Sequence, residues 1–366
     1  MNSNNQVGLF AAFFYMFIPF NIYYGRTILP DPSMTMAFLG SIFFFDKWVE
    51  VYKKKYGKTK NAVKGYTVWS YFFLAVLFTT GALLLKPQSA FFLLPIIYLA
   101  FAGFGWKAFL KWQLYIYAGI SVTPLILWRL WMMQYPEGIP VNIWLFNSNG
   151  IRFRPAFFRW IFYERLTVLI SGYFGTLLLA TGLLQLKKTK EWLFFASFFA
   201  SSLLFVSVVA TGNVQHDYYQ IPIIPSVAIL MAFGSYYLMH FKFKSFAIGR
   251  IILILIISAS FYFSWNIVKE YFNINNRSII AAGAAVQRLT PEDALIVSSY
   301  NGDSAVIYQF NRKGWAHLQD PLPVLIQKGA DYLVIINPSN ADKDNNQYKL
   351  LEFTDQYAIF DLKQTK

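Results

Sequence analysis

Residues 247–265 read AIGRIILILIISASFYFSW, an apolar run with a single charge, Arg250, near its start. A membrane-spanning helix needs about 20 mostly apolar residues, and a run of this composition is typical of one. After Trp265 the sequence alternates polar with apolar residues, as a soluble α/β segment does. This change divides the chain into an apolar region, residues 1–265, and a soluble α/β domain, residues 266–366.

The composition of the whole chain also favours a membrane protein. Its 366 residues are 56% apolar and 14% charged, whereas a soluble domain is about a quarter charged. The chain has no cysteine, which excludes disulfides, thiolate metal sites and a cysteine nucleophile. Residues 1–265 hold 22 Lys and Arg against 7 Asp and Glu, and residues 266–366 hold 10 against 11. The basic excess belongs to the apolar region, so we expect no nucleic-acid partner.

Nine apolar segments predict an α-helical polytopic membrane protein with about nine transmembrane helices. Their approximate ranges are 7–24, 33–49, 66–85, 89–105, 113–133, 166–186, 192–210, 221–240 and 247–265. Basic residues gather in alternate short loops, 14 on one side and 6 on the other, and the basic side faces the cytoplasm. We therefore predict a multi-pass protein of the plasma (inner) membrane whose C-terminal domain is extracytoplasmic.

The first cluster of candidate functional residues lies in a predicted outer loop and contains Arg26 and Asp31. A charged residue at membrane depth costs about 2.5–3.5 kcal/mol, so acids are rare in the apolar region. The few that occur there are therefore candidates for a functional role. Asp31 followed by Pro32 suits the start of a helix, which is a purely structural explanation. The functional alternative is that Asp31 binds a sugar hydroxyl or a metal and that Arg26 supports it.

The second cluster is His216, Asp217, Tyr218 and Tyr219, directly before a predicted helix. Tyrosines are common at membrane interfaces without any ligand. Hydroxyl groups beside a helix N-terminus can also hold a phosphate, and we favour that function here.

Outer-loop residues 134–165 alternate aromatic residues with arginines, which predicts a helix lying in the membrane interface. Arg152 or Arg154 would then either anchor the protein or pair with a lipid phosphate. Lys86 lies in another outer loop and is a further candidate for substrate binding. A long side chain that only reaches the membrane interface explains its position equally well.

Five short motifs occur together in one order along the chain. They are Tyr24-Gly25-Arg26, Pro30-Asp31-Pro32, Leu84-Leu85-Lys86-Pro87, Phe153-Arg154-Pro155-Ala156-Phe157-Phe158, and His216-Asp217-Tyr218-Tyr219 before Pro222 and Pro225. In this respect residues 7–240 resemble the GT-C superfamily of polytopic glycosyltransferases, in particular the protein-mannosyltransferase-like and aminoarabinose-transferase-like group. Each motif alone is weak, and the resemblance rests on their order and shared outer location.

The resemblance implies transfer of a sugar from a polyprenyl-phosphate carrier to a protein, lipid or glycan acceptor. Asp31 would match an acid of the family's second outer loop, Tyr218 or Tyr219 a phosphate-contacting tyrosine, and His216 and Asp217 would line the same cavity. No cofactor is implied with certainty, and a divalent metal at Asp31 or His216 stays open. Membrane lipids and the lipid-linked donor are the expected partners.

One family feature has no counterpart in this sequence. The family's main catalytic acid lies in a first outer loop, often as an Asp-Glu pair, and Asp31 is the first acid here. We expect that the chain lacks an N-terminal portion; a separate chain that supplies the acid, or a loss of activity, are the alternatives. A lipid-linked sugar transporter or a non-catalytic membrane scaffold are the competing functions.

The soluble region predicts a small α/β domain. Ala294–Ser299 and Tyr332–Ile336 are expected to form buried parallel strands, with a short helix over Pro321–Lys328 between them. Ser304–Phe310 and Tyr357–Leu362 are further strand candidates.

Overall fold

The computed structural model describes residues 5–57, 64–135, 143–187, 191–243, 247–273, 276–300, 302–318, 320–344 and 347–365. The chain forms two compact units, residues 1–272 and residues 273–366. Helices build the first unit, and the second contains a five-stranded sheet. Part of the predicted outer loop 134–165, residues 136–142, lies outside the described residues.

The described structure contains seventeen α-helices and five strands, together with several 3-10 segments and one π-helix. The first unit contains α1 Asn5–Phe17, α2 Pro19–Tyr24, α3 Pro30–Tyr56, α4 Gly65–Leu85, α5 Leu94–Phe104, α6 Trp112–Met132, α7 Trp144–Asn147, α8 Pro155–Phe158, α9 Gly175–Leu186, α10 Trp192–Val208, α11 Ala210–Gln215, α12 Ile224–His240 and α13 Ile248–Val268. The second unit contains α14 Ser278–Leu289, β1 Leu295–Ser298, α15 Ala305–Phe310, β2 Lys313–Trp315, α16 Leu322–Gln327, β3 Tyr332–Ile336, α17 Asn340–Asp344, β4 Tyr348–Phe353 and β5 Tyr357–Thr365.

Several helices confirm the membrane character that the composition predicts. Among the described residues, five helical segments are long and apolar enough to cross a membrane, or up to six if a bent pair counts as one span. They are Gly65–Leu85, Pro87–Leu110, Trp112–Met132, Asp217–His240 and Ile248–Phe272, with Pro155–Ile170 and Gly175–Leu186 as the bent pair. The number of segments that pass this test of length and composition is smaller than the nine spans predicted from the sequence. The other predicted ranges are helical too, in α1 with α2, in α3 and in α10.

The predicted span 166–186 is broken in the middle. A π-helix over Arg159–Ile170 meets α9 with a bend of 113°. Gly172, inside the break, has a φ of +51°, and a Cβ there would lie only 1.9 Å from the carbonyl oxygen of Ser260. Glycine is therefore required at this position by both its backbone conformation and its close neighbour.

Two serines of α13 satisfy the backbone around the break. Ser260 donates a hydrogen bond to the carbonyl of Ser171, and Ser264 donates one to the carbonyl of Leu169, each at 2.7 Å. The carbonyl of Ser171 also accepts from the backbone N–H of Gly175 at 2.8 Å, so Ser260 adds a second hydrogen bond to it. A carbonyl without a partner within a bilayer is costly, and neighbouring helices commonly supply one. The break is thus held in place by α13.

The helix α12 is the most enclosed of the candidate spans and packs closely on α9. A Cβ on Gly182 would lie 1.9 Å from the carbonyl oxygen of Leu230, and a Cβ on Gly234 would lie 2.2 Å from that of Leu178. Small residues let helix backbones approach in a membrane. This contact sets the position of the 3-10 segment Asp217–Ile223, which leads directly into α12.

The helices α3 and α4 run antiparallel, so the first turn of α3 lies beside the end of α4. Phe38 and Trp48, both fully buried on α3, belong to one apolar core with Phe72 of α4. Phe38 also stacks on Phe92 with ring centroids 4.7 Å apart. Aromatic packing therefore brings Asp31, in the first turn of α3, next to Lys86, the residue after α4.

The second unit is an α/β domain with strand order β2-β1-β3-β5-β4. The strand β1 pairs in parallel with β2 and β3, whereas β5 pairs antiparallel with β3 and β4. The predicted strands at 294–299, 332–336 and 357–362 are confirmed, and so is the short helix before Gly329.

The strand prediction for Ser304–Phe310 is wrong, because residues 305–310 form α15. Val306 and Phe310 are the buried residues of this segment. Their spacing of four places both on one face of a helix, whereas a strand would require alternate residues to be buried. The segment is too short for its periodicity to be decisive in the sequence alone.

Candidate active site

The centre of the candidate site is an ion pair between Asp31 and Lys86. The Nζ of Lys86 lies 2.8 Å from Oδ1 and 2.7 Å from Oδ2 of Asp31, so it contacts both carboxylate oxygens. The Asp31 side chain is 2% exposed and that of Lys86 is 18% exposed. Pro30 and Asp31 occupy the first turn of α3, and Lys86 directly follows α4. The antiparallel helix pair thus creates a buried charge pair at one end of the bundle.

The same ammonium group faces two tyrosine rings. Its nitrogen lies 4.6 Å from the ring centroid of Tyr219 and 5.5 Å from that of Tyr218, within the range of a cation–π contact. Both tyrosines belong to the 3-10 segment that precedes α12. Lys86 therefore joins the first and second predicted clusters, which are far apart in the chain.

Asp217 is held by hydroxyl groups rather than by a strong ion pair. The hydroxyl of Tyr24 donates to its Oδ1, and the hydroxyl of Tyr271 donates to its Oδ2 at 2.7 Å. The nearest guanidinium nitrogen, on Arg165, lies 3.9 Å away. These bonds link the 3-10 segment Asp217–Ile223 to α2 and to the short 3-10 helix Lys269–Phe272 that follows α13. We infer that Asp217 fixes the backbone that carries Tyr218 and Tyr219.

Arg165 lies on the π-helix Arg159–Ile170, beside Asp217, and Arg152 lies on the preceding 3-10 segment Ser148–Phe153. Arg165 donates to the carbonyl of Val214 at 3.3 Å and lies over the ring of Trp160 at 5.2 Å. Arg152 donates to the carbonyl of Val208 at 3.1 Å. Within the described part of the chain, the Nε atoms of both arginines are buried and have no hydrogen-bond partner. Each guanidinium group therefore has one enclosed donor that makes no hydrogen bond within the described residues.

His216 lies beside the two tyrosines, 5.2 Å from Tyr218 and 6.0 Å from Tyr219 between ring centroids. Partial burial lowers the pKa of His216, and the positive charges of Arg165 and Lys86 act in the same direction, against the neighbouring Asp217. The imidazole is therefore neutral at pH 7, where it can accept one hydrogen bond and donate another.

Burial raises the pKa of the Asp31 carboxyl, while the charge and hydrogen bonds of Lys86 act in the opposite direction. Loss of water disfavours an isolated carboxylate, and a nearby cation favours it. A carboxyl group with a raised pKa binds a proton more readily, which suits a general base. Lys86 therefore limits how far burial raises the proton affinity of Asp31.

The other predicted residues lie away from this centre. Arg26 stacks over Phe272 at 4.6 Å, so the cation beside Asp31 is Lys86 and not Arg26. Arg154 is exposed at the start of α8. Among the described residues no group of three His, Asp or Glu side chains is arranged to hold a metal ion, and Lys86 occupies both oxygens of Asp31.

Tyr24, Tyr271 and Arg165 contribute to the site although the sequence did not mark them as site residues. Tyr24 and Tyr271 are separated from Asp217 by 193 and 54 residues, and each reads in the sequence as an ordinary interfacial tyrosine. Arg165 is one of several arginines in the predicted interfacial helix, with no local feature to distinguish it. Only the packing of the helices identifies these three as partners of Asp217.

Comparison with protein-family models and with curated protein sequences finds no match for this chain.

Proposed function

We propose that this chain is a GT-C-type membrane glycosyltransferase that moves a sugar from a polyprenyl-phosphate donor to an acceptor hydroxyl at the outer face of the plasma membrane. The supporting observation is the contact of Asp31 with Lys86 and of Lys86 with Tyr219. It combines a buried acid, a cation and tyrosine rings at the ends of apolar helices. The proposal includes nine spans in residues 1–265 and an extracytoplasmic domain in residues 266–366.

In the proposed reaction the donor phosphate attracts the ammonium group of Lys86 away from Asp31. The freed carboxylate accepts the proton of the acceptor hydroxyl, whose oxygen forms a bond to the anomeric carbon of the sugar. The bond from that carbon to the phosphate oxygen breaks, and the lipid phosphate leaves with the electron pair. The hydroxyl groups of Tyr218 and Tyr219 and the neutral His216 supply hydrogen bonds to the leaving phosphate or the sugar.

The position of these groups favours transfer over transport. A transporter concentrates its polar binding groups near the middle of the membrane, whereas Asp31 and Lys86 lie at the beginning of one helix and just after the end of another. The desolvation of a buried carboxylate costs several kcal/mol before a cation pairs with it, which favours a functional role of Asp31 over an inactive scaffold.

The test measures the rate of sugar transfer in vesicles that contain the purified protein. The donor is a polyprenyl-phosphate sugar whose sugar carries a label. Asp31→Asn is expected to reduce the rate about 100-fold or more, the usual contribution of a general base. Asp46→Asn is the matched control, since Asp46 lies on the same helix and outside the site, and it should transfer at the wild-type rate.

Several outcomes would contradict the proposal. Transfer at the wild-type rate in both Asp31→Ala and His216→Ala would overturn the site assignment. Movement of the intact labelled lipid between leaflets, with no transfer by the wild type, would favour the transporter instead.

A further inference from the structure

Trp144, the first residue of α7, is the exposed end of a row of ring contacts that leads into the candidate site. Its ring centroid lies 5.9 Å from that of His216 in an edge-to-face arrangement, and His216 contacts Tyr218 and Tyr219. The ring of Tyr219 in turn faces the ammonium group of Lys86. Trp144 is 39% exposed, whereas Tyr219 is buried. The row therefore runs from the buried charge pair to an accessible indole.

The segment that carries this indole is attached to α11. Leu145, the next residue, is buried and packs on Gly212, where an added Cβ would lie 3.0 Å from the Cδ2 of Leu145. The backbone N–H of Ser148 donates to the hydroxyl of Thr211 at 2.8 Å. The residue that follows α11 is the histidine that contacts the indole. Its neighbours therefore hold Trp144 beside the site.

Exposed tryptophans are common at membrane interfaces, where they need no ligand. Trp131 fits that explanation, since it is exposed and stacks on Trp128 of its own helix with ring centroids 5.0 Å apart. Trp144 differs because its ring contacts His216, a residue of the candidate site. Its position, rather than its exposure, indicates contact with a ligand.

The two rings together offer the contacts that a sugar needs. The face of an aromatic ring is negative and attracts the C–H groups that a sugar ring presents. The neutral imidazole of His216 can accept one hydrogen bond and donate another, as sugar hydroxyl groups do. A sugar bonded to a phosphate lies directly beside it. A phosphate held at Lys86 and Tyr219 would therefore place its sugar next to His216.

We propose that the indole of Trp144 packs on the sugar of the lipid-linked donor while His216 binds a hydroxyl group of that sugar. This inference rests on the proposed function, because it states which side chains recognise the sugar of the proposed donor. The ligand that it names is a sugar with a free face of C–H groups. A polyprenyl phosphate without a sugar gains nothing from Trp144.

The experiment measures competition between two lipids of equal chain length, a polyprenyl phosphate and the same lipid with a hexose on its phosphate. The purified protein in detergent is mixed with equal amounts of both, and native mass spectrometry gives the ratio of protein bound to each. Glucose, mannose and galactose are compared in turn. The wild type should favour at least one of the sugar-bearing lipids, and a preference for none would overturn the inference.

Trp144→Leu keeps an apolar side chain but removes the ring. It should lower the ratio about fivefold, the effect of one stacking contact, and Trp144→Phe, which keeps a ring, should lose less. Trp131→Leu is the matched control, since Trp131 is exposed and, among the described residues, packs on Trp128 and Tyr135 away from the site. Equal loss of both lipids in Trp144→Leu would leave the ratio unchanged, which would make Trp144 a membrane anchor and overturn the inference.

A second variant leaves the indole in place. Thr211→Val removes the hydroxyl that holds Ser148 and should lower the same ratio to a smaller extent, because the segment that carries Trp144 is then less firmly attached. A wild-type ratio in both Thr211→Val and Trp144→Leu would overturn the inference.

Sugar transfer is measured in parallel, so that the two proposals can fail separately. A preference for the sugar that depends on Trp144, in a wild-type protein that transfers no sugar, would support the inference and contradict the proposed function. Transfer by the wild type, with an unchanged ratio in Trp144→Leu, would support the proposed function and overturn the role of Trp144.

Discussion

Lys86 has two roles that follow from its position between Asp31 and Tyr219. It neutralises a carboxylate that is 2% exposed, and its nitrogen lies 4.6 Å from the centroid of the aromatic ring of Tyr219. Removal of one partner from a buried ion pair is far more costly than removal of both, because the remaining charge has no compensation. The stability of the protein should therefore depend on this pair in a pH-dependent manner.

We predict that Lys86→Met lowers the free energy of unfolding by about 3 kcal/mol at pH 7, the low end for a buried pair because Lys86 is partly exposed. Without Lys86 the pKa of Asp31 rises further above its ordinary value. A folded state that binds a proton more readily than the unfolded chain loses stability as pH rises through that window. The deficit of the variant should accordingly shrink as the pH falls.

Thermal unfolding in detergent across pH measures this effect. The control is the double variant Asp31→Leu with Lys86→Met, which removes both charges and should recover much of the lost stability at pH 7. A deficit that is the same at all pH values would show that Lys86 stabilises the protein through its apolar stem and not through Asp31.

At the scale of elements, the break at residues 171–174 determines the direction of the helix that carries Arg165. The π-helix Arg159–Ile170 bends away from α9 by 113°, so it does not continue α9 as a straight span. The hydrogen bonds from Ser260 and Ser264 stabilise this arrangement. The interfacial helix predicted from alternating arginines and aromatic residues is consistent with such a bend, and its orientation in a bilayer stays a prediction.

Gly172→Ala should destabilise the break by about 3 kcal/mol or more, because alanine is strained at positive φ and its Cβ would meet the carbonyl oxygen of Ser260. Gly81→Ala is the matched control, since Gly81 lies within α4 and a Cβ added there would have no atom within 4 Å; it should be neutral or slightly stabilising. Melting temperatures in detergent compare the two. Equal melting temperatures would contradict the role of the break.

For the whole molecule, the unequal distribution of charge predicts its orientation. Basic residues gather in alternate short loops of residues 1–265, 14 on one side and 6 on the other. From this asymmetry the positive-inside rule predicts that the candidate site lies at the outer end of the bundle. The geometry of the site does not depend on this orientation, but access of the proposed donor and acceptor does.

The absence of cysteine from the sequence permits a direct test of orientation. Single cysteines are introduced at Gln134 and at Leu110, which are both exposed and lie on opposite predicted sides. A maleimide that cannot cross membranes should label Gln134→Cys in intact cells and should label Leu110→Cys only after the cells are opened. Labelling of Leu110→Cys in intact cells would contradict the predicted topology.

Much of the fold was predictable because it depends on local composition. Apolar runs indicated the membrane helices, and buried β-branched runs indicated β1 and β3. The failures arose where tertiary contacts override the local pattern. Ser304–Phe310 forms a helix although it reads as a strand, and the span 166–186 is broken because Gly172 packs on Ser260. A scan of apolar length detects neither effect.

The sequence by itself determined that this is a helical membrane protein with a small α/β domain, and which charged and aromatic residues lie near helix ends. Only the tertiary structure decided which of them meet. Asp31 pairs with Lys86, 55 residues away, and not with the nearby Arg26. Asp217 binds Tyr24 and Tyr271 from distant segments. The physical reason is that spacing along a helix sets the face on which a side chain lies, whereas helix packing determines what that face contacts.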